Sequence, residues 1–365
     1  MGQKHFMMGN EALAEAAIRA GCRFYAGYPI TPSTEIIEYM AKHLPRVGGV
    51  CIQSESEVAA INMLTGAASV GARVMTASSG LGISLMCEGF SNMSAIEMPA
   101  VIVNNSRGGP GAGHLGPSQG DYFQATKGGG HGEYRMIVLA PSTVQEMADL
   151  TMLAFHLADK YRNLVMILGD SVVAHLMETV EFKEPPDEPL PPKDWVNTGA
   201  KGRPPIKMIV SDVPEQHRIG QEEYYEQMIW NLQKKYARIE QDEVRAEVQG
   251  VEDADVVIVA YGTAARVAKQ AIRDAAKEGI RVGLVRPITL WPFPYKQIAA
   301  AAERGIPILT AELSAGQMVE DVRLAVLGRA PVHFYGRVGG QLPTAAEVLR
   351  EIRKCVGAGA YQLKE

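Results

Sequence analysis

The stretch that decides the fold is Cys22-Arg23-Phe24-Tyr25-Ala26-Gly27-Tyr28, a short apolar run, continued by Pro29-Ile30-Thr31-Pro32-Ser33-Thr34-Glu35. The first part suits a buried strand. The second suits a helix start, with Thr31 as cap, Pro32 at the first helical position and Glu35 beside the positive helix end. Parallel neighbours in a sheet need a crossover, so strand followed at once by helix is the unit of a parallel sheet. The alternation recurs: apolar runs lie at Arg73–Ser78, Pro99–Ser106, Tyr134–Ala140 and Leu164–Gly169, and helical periodicity fills Glu57–Gly71 and Thr143–Tyr161. Ahead of them, Asn10 can cap a helix running through Ala20, which Gly21 ends. Uniformly apolar strands between amphipathic helices predict an α/β domain with a doubly wound parallel sheet, covered on both faces.

The whole chain has 365 residues, which at about 150 per domain predicts two or three domains. Hydrophobic residues make up 47% and charged ones 21%, a composition that excludes a disordered chain. The formal charge, 36 − 41 = −5, argues against a nucleic-acid binder, which needs a basic face for phosphates. No apolar run approaches the roughly 18 residues of a membrane span, and the first fifteen residues lack a secretory apolar stretch, so a cytoplasmic location is expected. The four cysteines (Cys22, Cys51, Cys87, Cys355) are far apart with no CxxC, so they do not form an iron–sulfur ligand set by themselves.

Between residues 181 and 250 lie eight of the 21 prolines, which read as an extended linker. There follows a charged helical stretch, Gln221–Val248, with Tyr225, Ile229, Leu232, Tyr236 and Ile239 on one narrow seam. Such a seam packs against another element or subunit. A second, smaller α/β unit begins at Asp255, with strands expected at Val256–Tyr261, Arg281–Arg286 and Ile306–Glu312 and a helix at Ala264–Glu278.

Ligands of open parallel sheets sit beyond the carboxyl ends of the strands. Four loops there carry unusual chemistry. Thr31 can offer its hydroxyl to a substrate oxygen. Gln53-Ser54-Glu55-Ser56-Glu57 holds two rival carboxylates at a helix start. Arg107 follows an apolar strand, where a guanidinium can clamp a carboxylate. Lys127-Gly128-Gly129-Gly130-His131-Gly132-Glu133 implies backbone approach to a ligand, or a lid. Gly111-Ala112-Gly113-His114-Leu115-Gly116 matches GxGxxG, the basis of a rival reading as a nicotinamide- or flavin-binding Rossmann oxidoreductase. Pro117-Ser118-Gln119-Gly120 follows it where a dinucleotide fingerprint would enter a helix, so we read it as a decoy. A third reading is a non-catalytic organising subunit, with the 221–248 helix as its docking arm.

Taken together, the chain resembles the alpha subunit of the 2-oxoacid:ferredoxin oxidoreductases. The resemblance rests on Tyr28–Ser33 (YPITPS), Glu57 with Gly66-Ala67 nine residues on, Ser79–Gly82 (SGLG), Arg107–Pro110 (RGGP), Gly130–Glu133 (GHGE) and Ala311–Gln317 (AELSAGQ). Pro117–Gly130 looks most like the branched-chain (2-ketoisovalerate) type, with the 2-oxoglutarate type next. The resemblance implies a thiamine diphosphate pyrimidine-binding domain at 1–180, the linker and helix at 181–250, and a transketolase C-terminal-like domain at 251–365. It implies oxidative decarboxylation of a 2-oxo acid with coenzyme A, electrons passing to ferredoxin. It also implies beta, gamma and ferredoxin-like delta partner subunits, with Mg²⁺ and 4Fe-4S clusters on those partners and no metal on this chain.

The family spacing selects Glu57 over Glu55, as the catalytic carboxylate that hydrogen-bonds the aminopyrimidine. Tyr28, Pro29, Ile30, Ser79 and Gly80 are the implied cofactor contacts. Thr31 and Arg107 match the substrate contacts, and His114 and His131 are candidates to shape the far end of the pocket. A single arginine in these loops favours an apolar substrate tail over a second carboxylate.

Overall fold

The computed structural model describes residues 3–184, 186–197 and 222–362. Its principal sheet runs in the order Thr289–Trp291, Ile137–Leu139, Leu164–Asp170, Ala100–Gly108, Val74–Ser78, Phe24–Gly27, Val50–Gln53. The last six are mutually parallel, and Thr289–Trp291 closes one edge antiparallel to Ile137–Leu139. Every residue of Val74–Ser78 and of Leu164–Asp170 is buried, as expected for a sheet covered on both faces. Helices Gly9–Arg19, Thr34–His43 and Val144–Tyr161 pack together, and Glu57–Ser69 packs on Leu81–Ala95. This is the doubly wound architecture read from the sequence.

Details differ for local reasons. The run Tyr134–Ala140 yields only the three-residue strand Ile137–Leu139, because its first residues leave the glycine-rich loop. Asn10 is not a cap: Met8 holds the N-cap position of Gly9–Arg19, and Asn10 lies inside the first turn, fully buried. The GxGxxG run turns back as a hairpin, with His114–Pro117 antiparallel to Arg107–Gly108, so no helix follows it.

The second sheet has the order Ala246–Gln249, Val282–Pro287, Val256–Val259, Ile308–Glu312, Val332–Gly336, parallel except for its first pair. Strands Ala246–Gln249 and Val332–Gly336 were not anticipated; both are only partly buried edges with weak apolar patterning. The helix Glu222–Asp242 packs the later part of its seam inward: Leu232, Tyr236 and Ile239 are buried in the main core and Tyr236 meets Trp291 edge-on, while Tyr225 lies at the surface. Part of the proline-rich linker, Pro185 and residues 198–221, lies outside the described residues. Just before that stretch, the Lys193 ammonium donates to the Gly71 carbonyl at 3.1 Å and the Asn197 N–H to that of Ser69 at 2.8 Å.

Buried polar contacts stitch the two units. The Gln119 amide donates to the Tyr261 carbonyl at 2.9 Å and its oxygen accepts the Leu313 N–H at 2.9 Å. Asp321 accepts from Tyr122 at 2.7 Å, Tyr295 at 2.6 Å and Lys127 at 2.6 Å. Within the second unit, Glu312 accepts the N–H groups of Met318 and Val319, each at 2.9 Å, anchoring a helix N-terminus. Arg286, buried, grips Glu146 with two bonds of 2.7 and 3.0 Å and Glu247 with one of 2.6 Å.

Removing Arg286 would take the guanidinium from two carboxylates, leaving Ser142 on Glu146 and Lys269 on Glu247. Arg286→Met should cost about 3 kcal/mol in thermal unfolding, the low end for a broken buried pair because both carboxylates keep some solvent contact. Burial pushes both carboxyls up, but the bonds and charge of Arg286, joined at Glu247 by Lys269, outweigh it and hold both below their ordinary value. Groups so depressed add stability above their unfolded pKa and lose it as pH falls through the folded one. The wild-type Tm should therefore fall more steeply than that of Arg286→Met once the pH drops below about 4.3, the ordinary glutamate value.

Candidate functional site

Four loops at the carboxyl ends of the parallel strands converge. Strand Val50–Gln53 leads into helix Glu57–Ser69, whose N-cap Ser56 accepts the Ala59 N–H at 3.2 Å. That cap sets the first helical residue, Glu57, pointing inward: Glu57 is 5% exposed, whereas Glu55 is exposed. A buried carboxylate normally has several donors. Among the described residues the only side chain that donates to Glu57 is Ser78, and its hydroxyl is 3.4 Å from Oε1. The carboxylate thus keeps accepting capacity.

What faces it is backbone. Strand Val74–Ser78 passes through Ser79 and Gly80 into helix Leu81–Ala95. Gly80 takes a left-handed φ of 53° as the helix N-cap, and the Gly82 N–H bonds back to the Ser79 carbonyl at 3.0 Å. A Cβ on Gly82 would overlap both Glu57 Oε1 and Ser78 Oγ. Only glycine lets this helix start lie against the carboxylate.

The third loop carries Tyr28–Ser33. Tyr28 and Thr31 are exposed, Pro29 and Ile30 half-buried. Three elements hold the loop. The Ser33 hydroxyl donates to the Ser78 carbonyl at 3.0 Å, Arg107 Nη1 to the Thr31 carbonyl at 2.8 Å, and the Asn10 amide to the Pro32 carbonyl at 2.8 Å. Ser79 donates to the Asn105 carbonyl at 2.7 Å, tying the second loop to the strand that bears Arg107. Arg107 has no carboxylate partner among the described residues and is half-buried. Its Nε lies 3.2 Å from where a Cβ of Gly80 would be. Nearby, Asp121 is half-buried and pushed above its ordinary value by desolvation, against the hydrogen bond from Asn104 and the charge of Arg107.

Glu57, Ser79, Gly80, Thr31 and Arg107 therefore share one edge. His114 stands across the hairpin from Gly108, exposed, with Nδ1 accepting the Gly116 N–H at 2.9 Å. His131 lies apart from this cluster. Its carbonyl accepts from Ser91 at 2.5 Å, nine residues along the helix from Gly82, or about 13 Å of helix rise. There it lines a separate cavity of about 370 Å³ with Tyr134, Ile229 and Leu232. Another cavity of about 450 Å³, between Arg135, Trp291 and Lys296, shares none of the cluster's residues. Sequence reading missed Asn10 and Asn105 as parts of the site. The signal was present: Asn104-Asn105-Ser106 breaks the apolar run Ala100–Val103 while staying buried at the strand's carboxyl end.

The donor set suits the aminopyrimidine end of thiamine diphosphate. A desolvated, under-donated carboxylate faces a position that glycine keeps open, and free polar groups stand on the adjoining loops. Known proteins resemble this chain over most of its length. Residues 15–247 match the family model described as pyruvate flavodoxin/ferredoxin oxidoreductase, thiamine diphosphate-binding, and residues 254–348 match pyruvate:ferredoxin oxidoreductase core domain II. The chain is 49% identical over 349 residues to the ketoisovalerate oxidoreductase subunit VorB of Methanothermobacter thermautotrophicus, covering 96% of this chain and 97% of that one. It is 38% identical to the 2-oxoglutarate synthase subunit KorA of the same organism, over 97% and 99% of the two chains. A solved 2-oxoglutarate:ferredoxin oxidoreductase from Magnetococcus marinus, with 2-oxoglutarate, coenzyme A and succinyl-CoA bound, superposes with a TM-score of 0.86 at 28% identity. The match covers 97% of this chain and spans 66% of that one. This chain accordingly belongs to the pyruvate flavodoxin/ferredoxin oxidoreductase family, as an alpha-type 2-oxoacid:ferredoxin oxidoreductase subunit.

Proposed function

We propose that this chain is the alpha subunit of a complex that converts a branched-chain 2-oxo acid, 2-ketoisovalerate foremost, and coenzyme A into the acyl-CoA, CO₂ and a proton. The two electrons released pass singly through 4Fe-4S clusters on partner chains to ferredoxin. The observation that carries the reading is the buried Glu57 carboxylate, short of donors, against the bare backbone of Gly82. Thiamine diphosphate, when bound, supplies a thiazolium carbon able to act as a nucleophile toward a keto carbon.

Each residue then has a defined task. Glu57 accepts a hydrogen bond from the protonated ring nitrogen of the aminopyrimidine and holds that proton in place, an interaction strengthened by the exclusion of water. Thr31, exposed beside it, directs its hydroxyl at a substrate oxygen. Arg107 has one arm on the Thr31 carbonyl and the rest of its fork free to orient the substrate carboxylate. Its grip must stay weaker in the ground state than in the transition state, since a carboxylate held too firmly resists decarboxylation. His114, across the hairpin from Gly108, is the residue we assign to the substrate tail.

The branched-chain preference rests on two things. Among 28–35, 53–60, 79–82 and 106–119, Arg107 is the single arginine, leaving no second clamp for a distal carboxylate. Identity to the ketoisovalerate relative, 49%, also exceeds that to the 2-oxoglutarate relative, 38%. The site is incomplete on this chain: exposed Tyr28, Val58, Leu81 and Leu85 rim it. An apolar rim around a buried carboxylate fits closure by a second polypeptide, here the beta subunit, with the diphosphate and Mg²⁺ held on that side. Gamma and ferredoxin-like delta subunits complete the proposed assembly.

The deciding experiment purifies the intact complex without oxygen and assays a panel of 2-oxo acids with coenzyme A and an artificial electron acceptor. A higher kcat/KM for 2-ketoisovalerate than for 2-oxoglutarate is expected; the reverse order would assign the chain to the 2-oxoglutarate type. In the same complex Glu57→Gln should lower kcat by about 100-fold or more, the usual share of a positioned acid–base group, and near-normal turnover would remove Glu57 from the chemistry. Arg107→Met should raise the KM for the 2-oxo acid while sparing that for coenzyme A; an unchanged substrate KM would exclude the clamp.

A further inference from the structure

Beneath the loop that bears Thr31 lies a pair of asparagines that no helix or sheet requires. Asn10 and Asn105 are both fully buried and come from distant parts of the chain, the first helix and the strand Ala100–Gly108. The Asn105 amide donates to Asn10 Oδ1 at 2.8 Å. The Asn10 amide spends one proton on the Pro32 carbonyl of the loop at 2.8 Å and the other on Glu35, in the helix that follows it, at 2.7 Å. The Asn105 amide also lies 3.5 Å from the Pro32 carbonyl. Asn105 Oδ1 is itself buried without a partner, and Gly169 leaves the room it occupies. An apolar pair would satisfy the core at less desolvation cost, so this arrangement is expensive unless it secures something.

What it secures is the peptide that follows Thr31. The Thr31 carbonyl is held from above by Arg107 and the Pro32 carbonyl from below by Asn10. Through its own backbone carbonyl Asn105 also takes the Ser79 hydroxyl, so it holds the Ser79 loop directly and the Thr31 loop through Asn10. We propose that Asn10 and Asn105 are positioning residues, a two-amide relay that fixes the Thr31 hydroxyl in register with the Glu57 pocket for the incoming 2-oxo acid. The inference rests on the role proposed above for Thr31. A hydroxyl on an exposed loop loses its orienting value when the loop can shift by even a fraction of its hydrogen-bond length, and two carbonyl anchors on consecutive residues remove that freedom.

The test is a double-mutant cycle in the assembled complex, with Asn10→Ala and Thr31→Val singly and together. Should Asn10→Ala fail to accumulate, Asn10→Ser, which keeps one small donor, gives the same comparison with a smaller effect. Asn10→Ala is expected to raise the KM for the 2-oxo acid about tenfold, the loss of a pair of buried hydrogen bonds, while thiamine diphosphate content and the KM for coenzyme A stay at wild-type values. In the Thr31→Val background the same change should alter the substrate KM by less than about twofold, because the group it positions is already gone. Equal effects of Asn10→Ala in both backgrounds would overturn the relay while leaving Thr31 a substrate contact. A lowered Tm with unchanged substrate KM would also overturn it, as a purely structural pair. If Thr31→Val alone leaves substrate KM unchanged, the role of Thr31 falls and the relay with it.

Discussion

The contact between a carboxylate and a helix start stripped of side chains governs this chain. Glu57 is buried at the head of one helix, and the head of the next presses on it through Gly82, where no larger residue fits. Two helix N-termini bring partial positive charge to the same spot, which eases the burial of a negative group that receives so few direct hydrogen bonds. Charge, burial and open backbone together make a place where a ring nitrogen carrying a proton is the natural missing partner. The loops bearing Thr31 and Arg107 are arranged around that place and gain their meaning from it.

The scaffold supplies what such a site needs, which is rigidity at the carboxyl ends of the strands. The strand Ala100–Gly108 is apolar through Val103 and turns polar at Asn104-Asn105-Ser106, and Val74–Ser78 ends on the polar Ser78. Their side chains reach sideways into neighbouring loops and not along their own strand. Loops from distant parts of the chain are consequently tied to one another: Ser33 to Ser78, Ser79 to Asn105, Arg107 to Thr31, and Ser78 to Glu57.

Much of the fold was legible because buried parallel strands have the most one-sided sequences a protein contains. The five runs between residues 22 and 169 and the doubly wound arrangement follow from that patterning, and the decoy character of Gly111–Gly116 follows from the proline after it. The edge strands Ala246–Gln249 and Val332–Gly336 were invisible because half-exposed strands have no strong pattern. At the site, the preference for Glu57 over Glu55 came from family spacing; its structural counterpart, one side chain in and the other out, is a matter of cap geometry at Ser56. Asn10 was misread because a polar residue near a helix start is ordinarily a cap. Its true partners lie 22, 25 and 95 positions away, beyond the reach of any local rule.

The strand Thr289–Trp291 belongs by sequence to the later unit yet completes the sheet of the earlier one, beside Ile137–Leu139. During synthesis that edge stays unpaired for some 150 residues of growing chain, presenting an apolar hydrogen-bonding margin to anything nearby. The two units thus share an edge and are not wholly independent modules. Separating them at the linker, as a gene fission would, leaves the first with an exposed, sticky border and the second with an orphaned ribbon.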